Sequence, residues 1–278
     1  MTHLILGSSG QIGRALVDYY NQKKENVILY DIVNDPNHDL RIQSNLTLEK
    51  FMIDSDFVHF LAFDVGGSKY LKNYQYSSKF ISNNMRLMEF TFNLLEKHKK
   101  PFIFASSQMS NMTYSPYGIL KAIGEIYTKA LGGIIVKFWN VFGVEHDMDK
   151  SHVITDFVLM AKELGKIRML TDGSEQRQFL HTSDCCKCLD ILVNSYQNID
   201  RAEELHVTNF KWHSIIEVAS IISKFIPGTE IIPASSFDDV QKDKRNEPNT
   251  SILKYWKPDL TLEEGIKSVI DSMNIKIS

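Results

Sequence analysis

Ser107, Tyr117 and Lys121 are side chains of the types that together move a proton from a hydroxyl. In Tyr117-Gly118-Ile119-Leu120-Lys121 the tyrosine and lysine stand at i and i+4, so on a helix both project from one face. A neighbouring ammonium favours the phenolate and lowers a tyrosine pKa. That yields a general acid or base usable near neutral pH. Ser107 closes the run Pro101 to Ser107 and is placed to hydrogen-bond the same substrate hydroxyl. Alone, a Tyr-x-x-x-Lys spacing is common by chance and usually marks a solvated helix face. Its weight depends on the elements around it.

The amino-terminal residues supply them. His3-Leu4-Ile5-Leu6 reads as a buried strand, followed by Gly7-Ser8-Ser9-Gly10-Gln11-Ile12-Gly13. Arg14 to Gln22 has helical apolar spacing, and Asn26 to Tyr30 is a second strand ending at Asp31. This is a βαβ unit with a Gly-x-x-Gly-x-x-Gly turn. Gly7 permits the tight turn, Gly10 admits a pyrophosphate, and Gly13 allows close helix–strand packing. The helix N-terminus adds N–H donors and a favourable dipole. Asp31, 18 residues after Gly13, is placed to accept from adenosine ribose hydroxyls and favours NAD over NADP. Three glycines alone also occur in turns without a ligand; the strand, helix and Asp31 together point to a dinucleotide. Arg14 is read as pointing to solvent.

Phe57 to Ala62 is another buried strand, Ser82 to Lys97 an amphipathic helix, and Pro101 to Ala105 a strand. Such alternation predicts an α/β fold with a doubly wound parallel sheet of the Rossmann kind, its ligands at the carboxyl ends of the strands. A smaller C-terminal substrate lobe is expected to pack on it. The expected nucleotide-binding part is residues 1–140 with about 176–208, and the lobe about 141–175 and 209–278. Ser214 to Phe225 reads as a helix and Glu230 to Pro233 as a short strand. Composition agrees: 278 residues, 43% hydrophobic and 23% charged, suit a globular chain. The net charge of −3 argues against nucleic acid as a partner. No apolar run reaches the ~18 residues of a membrane span. Three cysteines make no disulfide framework, and the chain opens directly into a strand, so a cytoplasmic protein is expected.

The chain resembles the extended short-chain dehydrogenases/reductases of the nucleotide-sugar epimerase/dehydratase kind. The resemblance runs over nearly its whole length. Gly7 to Gly13 matches the glycine motif, Asp39-Leu40 the adenine-side pair, and Leu61-Ala62 the strand-four motif. Asn84 and Asn93-Leu94-Leu95 match the next helix, Phe104 to Ser107 the catalytic strand, and Asn140-Val141-Phe142-Gly143 the turn after strand six. Asp172 to Asp184 is similar to the substrate-domain signature. Arg245 and Trp256 to Gly265 resemble the closing segment. The resemblance implies NAD held by Gly7, Ser9, Gly10, Gln11, Ile12, Gly13, Asp31, Asp39, Leu40, Leu61 and Ala62, with Tyr117 and Lys121. It implies that Tyr117 takes a proton from a sugar hydroxyl, usually at C4, while Ser107 positions the oxygen and Lys121 binds the nicotinamide ribose. Asn140, Val153, Arg177 and Arg245 would bind the nucleotide-diphosphate sugar, arginine suiting phosphate through its planar fork. A homodimer is also implied.

Three departures narrow the reading. Gln108 and Met109 follow Ser107 where sugar 4,6-dehydratases carry an acidic pair, which disfavours elimination of water. Phe63-Asp64-Val65-Gly66-Gly67 and Ser151-His152-Val153-Ile154 resemble loops of GDP-mannose 3,5-epimerases and GDP-fucose synthases. Those enzymes place a cysteine where Met109 stands, leaving only His146, Lys150 and His152 as a second acid/base. Ser107 and Tyr117 are ten residues apart, so Met109 to Pro116 makes a compact turn, and the site is expected to be more open or to be covered by another loop or a partner chain. Lys137 takes the place of an arginine. Epimerisation at C4 through a 4-keto sugar fits best. A 4-dehydrogenase or 4-ketoreductase is the alternative; a C3/C5 epimerase, a 4,6-dehydratase or a non-catalytic NAD-binding protein fits less well.

Other residues stay open between two roles. Cys185, Cys186 and Cys188 read as buried helix thiols rather than a metal site, with Ser183-Asp184 as the N-cap before them. His181 reads equally as a ligand contact or a packed sheet residue. Phe138 or Trp139 lines the nicotinamide side or packs in the core. Leu87, Met88 and Phe92 form a dimer face or ordinary core. Tyr70, Tyr74 and Tyr76 cover the sugar or belong to a solvated helix.

Overall fold

The computed structural model describes residues 1–236 and 246–274. Its first half runs β1 (Thr2–Leu6), α1 (Gln11–Gln22), β2 (Asn26–Tyr30), α2 (Leu46–Asp54), β3 (Phe57–Phe60), α3 (Ser68–Tyr74), α4 (Ser78–His98), β4 (Phe102–Ser107) and α5 (Pro116–Ala130). It continues with β5 (Ile134–Phe138), β6 (Asn140–Phe142), α6 (Val153–Leu164), β7 (Lys166–Arg168), β8 (Gln176–Arg177), β9 (Phe179–His181) and α7 (Thr182–Asn194). The last elements are β10 (Leu205–Val207), β11 (His213–Ser214), α8 (Ile215–Phe225), β12 (Glu230–Ile232) and α9 (Leu262–Asn274).

Six strands form one parallel sheet in the order β10-β5-β4-β3-β1-β2. The chain starts at β1, goes out to β2, then returns past β1 to β3. The strand order therefore reverses between β1 and β3, and a crevice opens at their carboxyl ends. The strands read as apolar runs because both faces are covered. Ile5, Leu16, Ile103, Val136, Cys185 and Leu189 belong to the core on one face. Leu4, Leu6, Phe60, Met88, Phe92 and Leu120 belong to the core on the other. Each such side chain contributes about 1.5–3 kcal/mol of burial.

A third core lies among α6, α8 and α9, with Phe157, Val158, Ile222 and Ile266 at its centre. Small two-stranded ladders tie this region to the main sheet. β6 pairs in parallel with β9, Asn140 facing Phe179, and β8 pairs antiparallel with β11. The helix expected from Ser82 begins at Ser78, because Ser77 caps it by accepting from Phe80 N. Leu87, Met88 and Phe92 are buried in the sheet-facing core, which settles their two readings for this chain.

The expected N-cap at Ser183-Asp184 is corrected. His181 caps α7, its ring accepting from Ser183 N. Asp184 is instead fully buried and accepts from Asp259 N at 2.9 Å and Leu260 N at 2.8 Å. The three cysteines are buried free thiols, and desolvation pushes each thiol pKa up. Among the described residues no helix is long and apolar enough to cross a membrane.

Candidate active site

The glycine turn is built by close backbone approach. Gly7 has φ +89°, and a Cβ at Gly13 would stand 2.0 Å from the Gly7 carbonyl oxygen. Only glycine permits α1 to start this near β1. Gly10 is the N-cap of α1 and no side chain caps the helix there, so its first N–H groups open onto the crevice. Asp31 accepts from Ser9 N and Val33 N, both at 2.9 Å. Asp39 holds Arg41 through two bonds of 2.8 Å. Arg14 does not stand free in solvent: its Nε donates to Ser9 O at 2.8 Å and the residue lines the crevice.

This crevice is a cavity of about 1110 Å³. At one end are Asp31, Asp39, Leu40 and Arg41; in the middle Gly7, Ser9, Gly10, Gln11, Ile12, Gly13, Leu61 and Ala62. At the other end are Ser107, Tyr117, Lys121 and Asn140, and beyond them Asp64, Lys150 and His152. The uncapped helix end in the middle and the carboxylate at the end of β2 fit a dinucleotide. Phe138 and Trp139 pack in the interior and also line the cavity.

The proton-transfer group is set by two tight local structures. Ser107 ends β4 and caps a 3-10 turn over Gln108–Asn111, its Oγ accepting from Met109 N at 3.1 Å. Ser115 then caps α5 by accepting from Gly118 N at 3.2 Å, with Pro116 as the first helical residue. A Cβ at Gly118 would sit 2.1 Å from Met109 O, so the glycine lets the short turn lie directly on α5. The expected compact turn is what forms. Met109 and Met112 are buried beneath it.

The electrostatics differ from the expectation. Burial pushes the Tyr117 phenol up to about 12, and a hydrogen bond from Ser107 offsets only part of that. Lys121 is 3% exposed, and burial lowers its ammonium to about 7, with Glu125 acting in the opposite sense. Its Nζ donates to Ala105 O at 2.6 Å and stands 3.7 Å from the centre of the Phe63 ring. The lysine is thus spent on a carbonyl and an aromatic face, with its ammonium 5.8 Å from the Tyr117 ring. The spacing in sequence foretold the shared helix face but not this desolvation.

The wall over the far end comes from two other segments. Gly67 N donates to Lys150 O at 3.1 Å, joining residues 63–67 to residues 145–152. Asp64 accepts from the Tyr70 hydroxyl at 2.7 Å and pairs with Lys150 at 3.4 Å. Asn84 Oδ1 accepts from Asp64 N at 2.8 Å. Burial would raise the Asp64 carboxyl, but Tyr70, Asn83 and Lys150 hold it below its usual range. Tyr70 and Tyr74 sit on α3, a short helix, as one of their two readings had it. In the same wall Glu145 Oε1 lies 2.6 Å from His152 Nδ1, and its Oε2 accepts from His152 N at 2.9 Å. Burial opposes charge on His152, but Glu145 more than offsets it and the imidazole pKa is raised.

The remaining expected residues are placed as follows. Asn140 lines the cavity, and its amide donates to Gln178 O at 3.2 Å. Gln11, with its amide oriented to satisfy both partners, donates to Val141 O and accepts from Gly143 N. Val153 begins α6 and Arg177 lies in β8 opposite His213; neither is in the lining of this cavity. Arg245 falls outside the described residues. His181 is used as the cap of α7. Sequence reasoning missed Phe63 over Lys121, and it missed Glu125, whose i+4 spacing from Lys121 was a legible signal.

Known proteins share this fold. The chain is 28% identical over 138 residues to UDP-glucuronic acid decarboxylase 1 of Xenopus tropicalis, covering 49% of this chain and 32% of that protein. It is 30% identical over 169 residues to a putative UDP-glucose 4-epimerase of Methanocaldococcus jannaschii, covering 57% of this chain and 53% of the relative. The chain thus spans about a third to a half of the length of these relatives. The crystal structure of a UDP-glucose 4-epimerase with UDP-glucose from Thermotoga maritima superposes with a TM-score of 0.85 at 16% identity, covering 100% of both chains. At that identity the likeness shows the fold. The model of the NAD dependent epimerase/dehydratase family matches residues 3–208, and the chain belongs to that family.

Proposed function

We propose that this protein epimerises a nucleotide-diphosphate sugar at C4 through a 4-keto intermediate. The observation that carries the reading is that Ser107, Tyr117 and Lys121 line one cavity with the uncapped glycine turn. Gly7 to Gly13, Asp31, Asp39, Leu40, Leu61 and Ala62 hold the NAD, which supplies a hydride acceptor and donor when bound. Tyr117 takes the proton from the C4 hydroxyl, Ser107 fixes the oxygen, and Lys121 binds the cofactor's ribose. Gln108 and Met109 offer no acid for eliminating water, so the keto sugar turns and is reduced on its other face. Asn140, Val153, Arg177 and Arg245 are assigned to the nucleotide-diphosphate sugar.

Residues 1–140 with about 176–208 are assigned to the NAD-binding part, and about 141–175 with 209–278 to the sugar-nucleotide lobe. We assign a homodimer to the outer face of α4 and α5, where Ile81, Met85, Ile119, Ile126 and Tyr127 are exposed apolar residues. The three reduced thiols suit a cytoplasmic location.

One observation favours a second reading. The Glu145–His152 pair places a second acid/base group in the sugar half, as proton exchange beside a 4-keto carbon would need. Proton-NMR analysis of products from UDP-, GDP-, CDP- and dTDP-sugars separates the two. A C4 epimer supports the first reading; solvent deuterium entering C3 or C5 supports the second. Tyr117→Phe should abolish turnover while NAD stays bound, and surviving activity would overturn both.

A further inference from the structure

The turn that follows β4 is held by a distant part of the chain. Asn246 Nδ2 donates to the Gln108 carbonyl oxygen at 2.6 Å and to Gln108 Oε1 at 2.8 Å, across 138 residues of sequence. The segment that brings Asn246 there is anchored, because Ile252 and Trp256 are buried in the core of the main sheet. The same turn is fixed at its far end, where Lys137 Nζ donates to Asn111 Oδ1 at 3.2 Å. Gln108 is 4% exposed and lines the cavity next to Ser107. Asn246 is not in that lining.

The two bonds decide which way both amides face. A backbone carbonyl oxygen can only accept, so Asn246 must turn its NH2 towards residue 108. The second hydrogen of that NH2 meets the Gln108 side chain, which must therefore present its oxygen. The Gln108 nitrogen is turned to the opposite side of its amide. Among the described residues nothing accepts from it. A buried donor left unused is costly, so a group of this kind marks a place where a ligand completes the bonding.

We propose that Gln108 contacts the substrate and that Asn246 is the positioning residue that sets its sense: the Gln108 NH2 donates to a sugar oxygen other than the one Ser107 holds. The proposal rests on the reading that a nucleotide-diphosphate sugar fills this end of the cavity. A neutral donor suits a hydroxyl or carbonyl oxygen and supplies no proton for eliminating water. Without Asn246 the amide is free to turn and offer its oxygen, so the choice of an acceptor on the sugar is made by a residue outside the cavity wall.

The test is calorimetric binding of nucleotide sugars to the NAD-loaded full chain. The probes are UDP-, GDP-, CDP- and dTDP-glucose, then the 2-, 3- and 6-deoxy forms of the one that binds. Gln108→Met, close in shape, weakens sugar binding by about tenfold while NAD affinity holds. Asn246→Ala weakens it too, but adds nothing to the loss in a Gln108→Met background. One deoxy sugar loses the same factor against the wild type and nothing further against Gln108→Met. The bond from Asn246 to the Gln108 carbonyl persists in Gln108→Met, so its loss is read separately, in the unfolding midpoint. Unchanged sugar affinity in a folded Gln108→Met protein overturns the proposal, as does a deoxy series with no member coupled to Gln108. Losses from Asn246→Ala that add in full to those of Gln108→Met overturn the positioning role. The C4 reading fails on a different result: proton NMR of the products shows no C4 epimer, whatever these affinities do. A chain that binds none of the four sugars overturns that reading and the proposal together.

Discussion

Tyr117 and Lys121 are both drawn away from their charged forms by burial, the first up to about 12 and the second down to about 7. A tyrosine so placed holds its proton until substrate and cofactor complete its surroundings. Ser107→Ala removes the hydrogen bond that favours the phenolate, and turnover should fall by about 10²-fold or more with NAD affinity unchanged. Steady-state kinetics beside a binding titration checks this. The glycines give a paired test. Gly13→Ala drives a methyl into the Gly7 carbonyl at 2.0 Å and should cost about 3 kcal/mol of stability. Gly10→Ala meets nothing nearer than 3.4 Å, so its unfolding midpoint should stay put while NAD affinity drops by about tenfold or more. Urea unfolding and cofactor titration on both variants decide it. These residues were legible in the chain because spacing alone specifies a shared helix face or a tight turn. The direction of the pKa shifts was not, because it depends on Phe63 and Ala105, which lie remote in sequence and arrive only through the fold.

At the scale of elements, the sheet strands and long helices were readable from apolar runs and periodic spacing, both of which are local. Two features were not. The wall over the sugar end joins residues 63–67 to 145–152 through Gly67 and Lys150, a contact that no local pattern encodes. Asp184 reads locally as a helix cap, yet its partners are the backbone of Asp259 and Leu260 far along the chain. A buried carboxylate with two N–H donors is a strong tether. Asp184→Ala should therefore lower unfolding free energy by about 3 kcal/mol and loosen α9 from α7, which amide exchange in Leu262–Asn274 would register. Full retention of stability would mean that the carboxylate contributes nothing to holding this segment.

Across the whole molecule, buried histidines make the fold sensitive to acid. His3 and His59 lie side by side in β1 and β3, with ring nitrogens 3.2 Å apart and both rings buried. Burial lowers the pKa of each, and for His3 the Glu25 carboxylate restores only part of the loss. The unfolded chain thus binds more protons than the folded one below the ordinary value of 6.5. The stabilising difference is complete above that pH and is lost progressively as pH falls toward the folded values. Between pH 7 and 5 these two histidines should contribute a slope of up to two protons to the loss of stability, roughly 1.4 kcal/mol per proton per pH unit. His59→Leu should reduce the slope; an unchanged slope would assign the acid sensitivity elsewhere. The proposed homodimer is tested on α5, where Ile126→Glu should abolish a dimer in sedimentation without altering the fold. The ladder between β6 and β9 has its own corollary. The chain leaves this ladder after Phe142 and rejoins it at Phe179, beside Asn140, having built the His152 wall and α6 on the way. Its α6 packs against α8 and α9 and its β8 pairs with β11, so a change in this excursion is felt in the third core, while Ser107, Tyr117 and Lys121 lie before it and keep their registry.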